Sequence, residues 1–152
     1  MNQRRRRLRR VLEIRERVLD DCAHALIKSN VDRDQAEQHA QSEKARLELA
    51  SRHRATLTSG SVEVRAWVEA EQWLRARGIT LDDALGRLET AEQRVNAARR
   101  EVLQAHTGVK QIETIDERMA SRDTQEQSRT EQRINDELVL RRYGPGRRGV
   151  TD

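Results

Sequence analysis

The side chains with the clearest capacity for binding chemistry are arginines near both ends of the chain. Of the 30 basic residues, only those at positions 28, 44 and 110 are lysine. A guanidinium group stays charged and presents a planar set of donors to carboxylates and phosphates. The clusters are first of all interpreted as solubilising charge at the helix ends, with docking to an acidic partner and nucleic-acid binding as the functional alternatives. They comprise Arg4, Arg5, Arg6, Arg7, Arg9 and Arg10, then Arg141, Arg142, Arg147 and Arg148.

Two tryptophans form the second notable feature. Trp67 and Trp73, followed by Leu74, stand in a chain that has no phenylalanine and one tyrosine. Tryptophan is enriched among the residues that dominate protein interfaces. The pair either packs within the fold or anchors a partner, and we expect Trp73 to stay partly exposed.

No arrangement of residues indicates catalysis. The sequence has no phosphate-binding glycine loop, no HExxH and no plausible nucleophile–base set. Cys22 is alone, so an internal disulfide is excluded. The four histidines lack metal-ligand spacing. We therefore expect no enzyme, no cofactor and no metal site.

Composition indicates what kind of fold must carry these residues. The 152 residues are 35% hydrophobic and 37% charged, with a net charge of +4. Such a chain can bury a narrow seam but not a thick core, which is typical of long helices and coiled coils. Disorder is the rival interpretation, because low hydrophobicity and high charge also characterise unfolded chains.

Hydrophobic periodicity decides for helices. Steps of three and four residues give the 3.5-residue period of a coiled-coil seam. The first seam runs through Leu8, Leu12, Arg15, Leu19, Cys22, Leu26, Ser29, Arg33, Ala36, Ala40, Glu43, Leu47, Ala50, Arg54 and Leu57. The second runs through Leu81, Ala84, Leu88, Ala91, Val95, Ala98, Val102, Ala105, Val109, Ile112, Asp116 and Met119.

The two seams predict an all-α, rod-shaped antiparallel coiled-coil hairpin over residues 1–143. Gly60 and its neighbours end a first helix of about 5–57. A short helix of about 62–77 follows near the bend, and a long helix of about 80–143 restarts after Gly78. Residues 144–152 are expected to be a disordered tail. A parallel homodimer is the alternative architecture.

The sequence also indicates location. Glu13 and Arg15 interrupt any apolar run after the basic start, which is unlike a signal peptide. No stretch approaches transmembrane length. We expect a soluble, cytoplasmic protein without membrane insertion.

Three segments together resemble the flagellar export protein FliJ family. Residues 67–74 (WVEAEQWL) are similar to its mid-chain segment, which has two aromatics six residues apart and then an aliphatic residue. Residues 130–142 (TEQRINDELVLRR) resemble its closing pattern, and residues 8–16 (LRRVLEIRE) its opening. The resemblance covers essentially the whole chain.

This resemblance implies a non-enzymatic stalk of a type III protein export apparatus. Family members are antiparallel coiled-coil hairpins that bind and stimulate a hexameric export ATPase, contact a transmembrane export gate protein and bind export chaperones. Such a protein would be a monomer without specific nucleic-acid binding, held at the membrane only through the apparatus. The stalk of the virulence injectisome and a generic coiled-coil scaffold are the alternatives.

The resemblance also implies where the partners would bind. The ATPase would meet the terminal end, at Arg5, Arg9, Arg141 and Arg142. The export gate would meet residues around the second tryptophan and the facing stretch of the first helix. Those residues are Gln38, Leu49, Trp67, Trp73 and Leu74.

Overall fold

The computed structural model describes residues 3–58 and 63–143, and they form two long helices. Helix α1 spans Gln3–Thr58 and helix α2 spans Val64–Tyr143. No strand occurs in either described range. The helices pack against each other as an antiparallel coiled-coil hairpin, so the predicted fold class is confirmed.

The predicted seams are the buried faces of both helices. Every predicted seam position of α1 except Arg15 is buried or half-buried. All predicted seam positions of α2 are buried or half-buried, without exception. The most buried apolar side chains are small. They are Ala40, Ala50, Ala70, Ala84, Ala91, Val95, Ala98 and Val109. Small side chains let the two backbones approach closely, which suits a chain that lacks bulky aromatic residues.

The predicted short helix of about 62–77 is wrong, because α2 is continuous from Val64 to Tyr143. A buried face already runs through Ala66, Ala70, Leu74, Arg77 and Leu81, in phase with the seam beyond it. A glycine in a helix interior costs about 1 kcal/mol relative to alanine. Continuous packing across Gly78 outweighs that cost.

The predicted restart at Thr80 is also absent. The Thr80 hydroxyl donates to the carbonyl oxygen of Ala76, 2.7 Å away, one turn earlier in the same helix. A helix-capping threonine would instead accept a bond from a following backbone N–H. Thr80 is therefore an interior residue of α2.

The chain divides into two compact units. The larger unit, Glu16–Thr107, contains every buried alanine of the described residues. The ion pairs Glu43–Arg77 and Arg54–Glu71 join its two helices. Residue numbers increase from Glu43 to Arg54 along α1, whereas those of their partners decrease from Arg77 to Glu71 along α2. The two helices therefore run antiparallel.

The smaller unit combines the start of α1 with the end of α2, as Met1–Arg15 and Gly108–Asp152. Arg5 pairs with Asp116, and Arg15 lies against Gly108, again in antiparallel order. From Thr124 to Tyr143 every residue of α2 is exposed. We call residues 124–143 the unpaired segment, because none of them is buried against the described residues of α1.

Two predictions fall on other parts of the chain. The helix-ending role of Gly60 and the disordered tail at 144–152 lie outside the described residues.

Candidate protein-interaction surfaces

The arginines at the start of α1 are largely free of carboxylate partners within the described residues. Only Arg5 is paired, with its Nε 3.3 Å from Asp116 Oδ1. The other five, including the predicted ATPase-binding Arg9, are exposed. No acidic residue occupies the first turn of α1. Because a helix N-terminus is itself positive, each cation there costs about 0.3–1 kcal/mol.

Arg141 and Arg142 occupy the last turn of α2, where basic residues are favourable. They follow Asp116, the partner of Arg5, by 25 residues of continuous helix. At 1.5 Å per residue that is about 37 Å. The four predicted ATPase-binding residues therefore form two separate places within the smaller unit and not one patch.

The unpaired segment exposes a set of large apolar side chains besides its arginines. Ile134 and Leu138 stand one turn apart, and Arg141 and Arg142 continue the same side of the helix. The exposed apolar residues of this segment are Ile134, Leu138, Val139, Leu140 and Tyr143. A helix that shows arginines and aliphatic residues together has the composition of a partner-binding helix.

Trp73 is the centre of the predicted gate-binding region in the larger unit. It remains 40% exposed, as predicted. Its ring meets the ring of His53 edge to face, with centroids 5.9 Å apart. Leu49 lies one helical turn before His53 and is 59% exposed. The structure thus brings Leu49 and Trp73 to one surface, joined by His53.

The other predicted gate residues are placed differently. Trp67 carries the guanidinium of Arg54 over its ring, 5.8 Å from the centroid. Leu74 is half-buried in the seam. Gln38 is exposed but stands eleven residues before Leu49, about 16 Å along α1. The predicted gate-binding residues are therefore not one surface. Leu49 and Trp73 share a patch, Trp67 lies beside it in its stack with Arg54, and the other two residues lie in the seam or at a distance.

Two charged clusters in the larger unit were not predicted. Glu43 is only 1% exposed, and its carboxylate lies 2.7 Å from Arg46 Nη1 and 3.6 Å from Arg77 Nη1. Glu71 Oε2 lies 2.8 Å from Arg54 Nε, in an ion pair that is not aligned as a hydrogen bond. Glu43 and Arg54 interrupt the apolar seam of α1, and that interruption is the signal that could have found both.

An apolar groove lies between the helices near these clusters. Its volume is about 470 Å³. Its lining residues are Glu37, Ala40, Gln41, Lys44, Leu47, Glu48, Leu81, Leu85 and Leu88. Leu85, 48% exposed, makes the groove accessible from outside.

Comparison with known families identifies the kind of protein that carries these surfaces. The family model described as flagellar FliJ protein matches residues 3–148, nearly the whole chain. This chain belongs to the flagellar FliJ family. The resemblance drawn from the sequence is thereby confirmed, and FliJ membership makes the chain a component of flagellar type III export. No curated protein and no solved structure gives a match.

Across residues 3–58 and 63–143, neither helix has an apolar stretch long enough to cross a bilayer. The same residues contain no group of three or more histidine, cysteine or acidic side chains placed to hold a metal ion.

Proposed function

We propose that this FliJ-family chain is the non-enzymatic stalk that couples the export ATPase to the export gate. The observation that carries the proposal is the family match over residues 3–148. In this proposal the smaller unit engages the ATPase ring and the larger unit engages the gate. Flagellar export is favoured over the injectisome because the matching family is flagellar.

The unpaired segment supports the ATPase part of the proposal. Arg141 and Arg142 are exposed on a helix that has no partner within the described chain. A single helix about 10–12 Å across is narrow enough to enter a ring that would exclude a helix pair. Arg9, and Arg5 if it releases Asp116, would then meet acidic groups at the rim of the ring.

Charge reversal tests this part. Stimulation of ATP hydrolysis by the purified export ATPase is measured with Arg141 and Arg142 both changed to Glu. We expect stimulation to be lost while the far-ultraviolet circular dichroism stays that of the parent. The matched control reverses Arg99 and Arg100, an adjacent and equally exposed pair in the larger unit. Equal loss in both variants would contradict the assignment.

The Leu49–His53–Trp73 surface supports the gate part. Aromatic side chains that are partly exposed and held by a neighbouring ring lose little conformational entropy on binding. We therefore assign the gate contact to Leu49 and Trp73, flanked by Trp67. Leu74 would position Trp73 from the seam, and Gln38 would mark the far edge of the contact.

Trp73→Ala tests the gate part. We expect affinity for the isolated cytosolic domain of the gate to fall by about 2 kcal/mol, as for a central aromatic residue. The matched control is Leu103→Ala, which removes a side chain 67% exposed elsewhere on α2. Unfolding of each variant is measured as well. Loss of stability without loss of affinity per folded molecule would refute the anchor role.

Chaperone binding belongs to the same proposal. The apolar groove between Leu47 and Leu85 offers a helical segment of a chaperone an apolar surface with charged edges. Leu85→Gln should weaken capture of export chaperones in a pull-down experiment and leave ATPase stimulation unchanged. Unaltered capture would remove the groove from the proposal. The runner-up function, a self-associating scaffold, is tested by mass in solution, where a monomer supports the stalk.

A further inference from the structure

Helix α1 carries a second stripe beside its seam. Arg4, Arg7, Val11 and Ile14 follow one another in steps of three, four and three residues, so they share one side of the helix. All four are exposed, Val11 by 40% and Ile14 by 60%. Burial against α2 therefore explains none of these side chains.

Helix α2 supplies a matching stripe at Ile115, Arg118 and Arg122, which are also exposed. Val11 and Ile115 occupy the heptad position just before the seam residues Leu12 and Asp116. In the larger unit His53 of α1 and Trp73 of α2 occupy this same heptad position, and their rings are in contact. In an antiparallel pair these positions lie side by side, so the two stripes form one face.

We call this surface the basic–aliphatic face. Its residues are Arg4, Arg7, Val11, Ile14, Ile115, Arg118 and Arg122. It includes every exposed large aliphatic residue of 3–15 and 108–123. No ion pair involves its four arginines within the described residues, whose only arginine pair in this unit is Arg5–Asp116.

The opposite side of the same unit is different in kind. It carries Glu13, Glu113 and Glu117. Lys110 Nζ lies 2.7 Å from Glu113 Oε2, and this hydrogen bond raises the pKa of Lys110 above its ordinary value. Charges there neutralise one another, whereas the basic–aliphatic face has arginines and no carboxylate. The asymmetry is not what a uniformly solubilising charge pattern would produce.

We propose that the basic–aliphatic face binds the surface of a bilayer that contains anionic phospholipids. Guanidinium groups suit lipid phosphates because they bind them through two parallel hydrogen bonds. Exposed valine and isoleucine between the arginines suit the boundary between headgroups and acyl chains. Nucleic acid fits less well, because the face has no aromatic residue for base stacking. The inference is independent of the ATPase assignment, since Arg9, Arg141 and Arg142 lie outside this face.

Co-sedimentation of the full chain with lipid vesicles tests the proposal. We expect binding to phosphatidylglycerol–phosphatidylcholine vesicles at low salt and none to phosphatidylcholine alone. Changing Arg4 and Arg7 to Gln should weaken binding roughly 30-fold, because each arginine at an anionic surface contributes about fivefold. The matched control changes Arg6 and Arg9 to Gln, which removes the same charge from the same turns on the opposite side of α1; only vesicle binding is compared. We expect the control variant to bind the anionic vesicles less than about threefold more weakly than the parent.

A second variant tests the aliphatic part. Val11→Gln with Ile14→Gln alters only exposed side chains, so helicity should persist, and vesicle binding should fall about tenfold. Three results would overturn the proposal. They are failure to bind anionic vesicles, equal loss in the two arginine variants, and unchanged vesicle binding by the Val11/Ile14 variant. A DNA duplex that binds more tightly than the vesicles and is sensitive to Arg4 and Arg7 would assign the face to nucleic acid instead.

Discussion

Replacing Glu43 by methionine removes the most buried charged side chain of the described residues, and we expect the fold to become no less stable. Glu43 is 1% exposed, and the nearest nitrogen from the other helix, Arg77 Nη1, lies 3.6 Å from its Oε2. That oxygen has no hydrogen bond. Burial of a carboxylate costs several kcal/mol, and an imperfect ion pair offsets only part of that cost.

The expected gain can be bounded from the same geometry. Apolar replacement of a buried ion pair is often neutral or stabilising by about 1–4 kcal/mol. The partners Arg46 and Arg77 keep side chains 57% and 31% exposed, so both can reach water once the carboxylate is gone. We expect Glu43→Met to raise the free energy of unfolding by about 1 kcal/mol, at the lower end of that range.

Removing the other side of the pair should have the opposite sign. Arg77→Ala leaves Glu43 buried with Arg46 alone, which contacts the other carboxylate oxygen at 2.7 Å. Loss of one partner of a buried pair costs about 3–5 kcal/mol when nothing replaces it. Because Arg46 remains, we expect a loss of about 2 kcal/mol, somewhat below that range.

Urea unfolding followed by circular dichroism measures both variants, with Glu48→Met as the control. Glu48 is an exposed glutamate of the same helix, and its replacement should change the free energy of unfolding by less than about 0.5 kcal/mol. A Glu43→Met variant less stable than the parent by 2 kcal/mol or more would refute the reasoning. It would mean that the ion pair more than compensates for the desolvation of its charges.

Three other changes test the packing account. Gly86→Ala should stabilise the chain by about 1 kcal/mol in thermal unfolding, because an added Cβ would meet nothing within 4 Å. Gly108→Ala should do the same to a smaller extent, since its Cβ would touch only Arg15 at an ordinary 3.7 Å; destabilisation by either change would contradict the packing described. Ending the chain after Asp123 should change the melting temperature little and abolish ATPase stimulation, and a large drop in melting temperature would show that residues 124–143 pack on something.

The seams were predictable because burial follows the 3.5-residue period residue by residue. Even Glu43 and Arg54, which are chemically unsuited to a seam, lie where the period places them. The predicted short helix failed for the opposite reason. Gly78 and Thr80 locally favour a break, but the phase of the seam continues unchanged from Ala70 to Leu81 and keeps the helix continuous.

The candidate surfaces were less predictable because they depend on register. Arg5 pairs with Asp116, so residue n in this part of α1 faces a residue near 121 minus n, and Gln3 faces a residue near 118. Residues 124–143 lie beyond this register and are all exposed. The contact of His53 with Trp73 required the fold itself, because nothing in the sequence shows which histidine approaches the tryptophan.

Hydrogen exchange offers a test of how the unpaired segment is held. Most of the stability of a helix in a protein comes from the tertiary packing of one of its faces. Residues 124–143 have no such packing, so their helicity depends on propagation from the paired part of α2. We expect their amides to exchange much faster than those of residues 84–105 in the free chain. Addition of the export ATPase should slow exchange in 124–143 alone, because entry into the ring would order that helix. Slow exchange there before any partner is added would show that the segment is already packed, and protection confined to the larger unit would place the ATPase contact elsewhere.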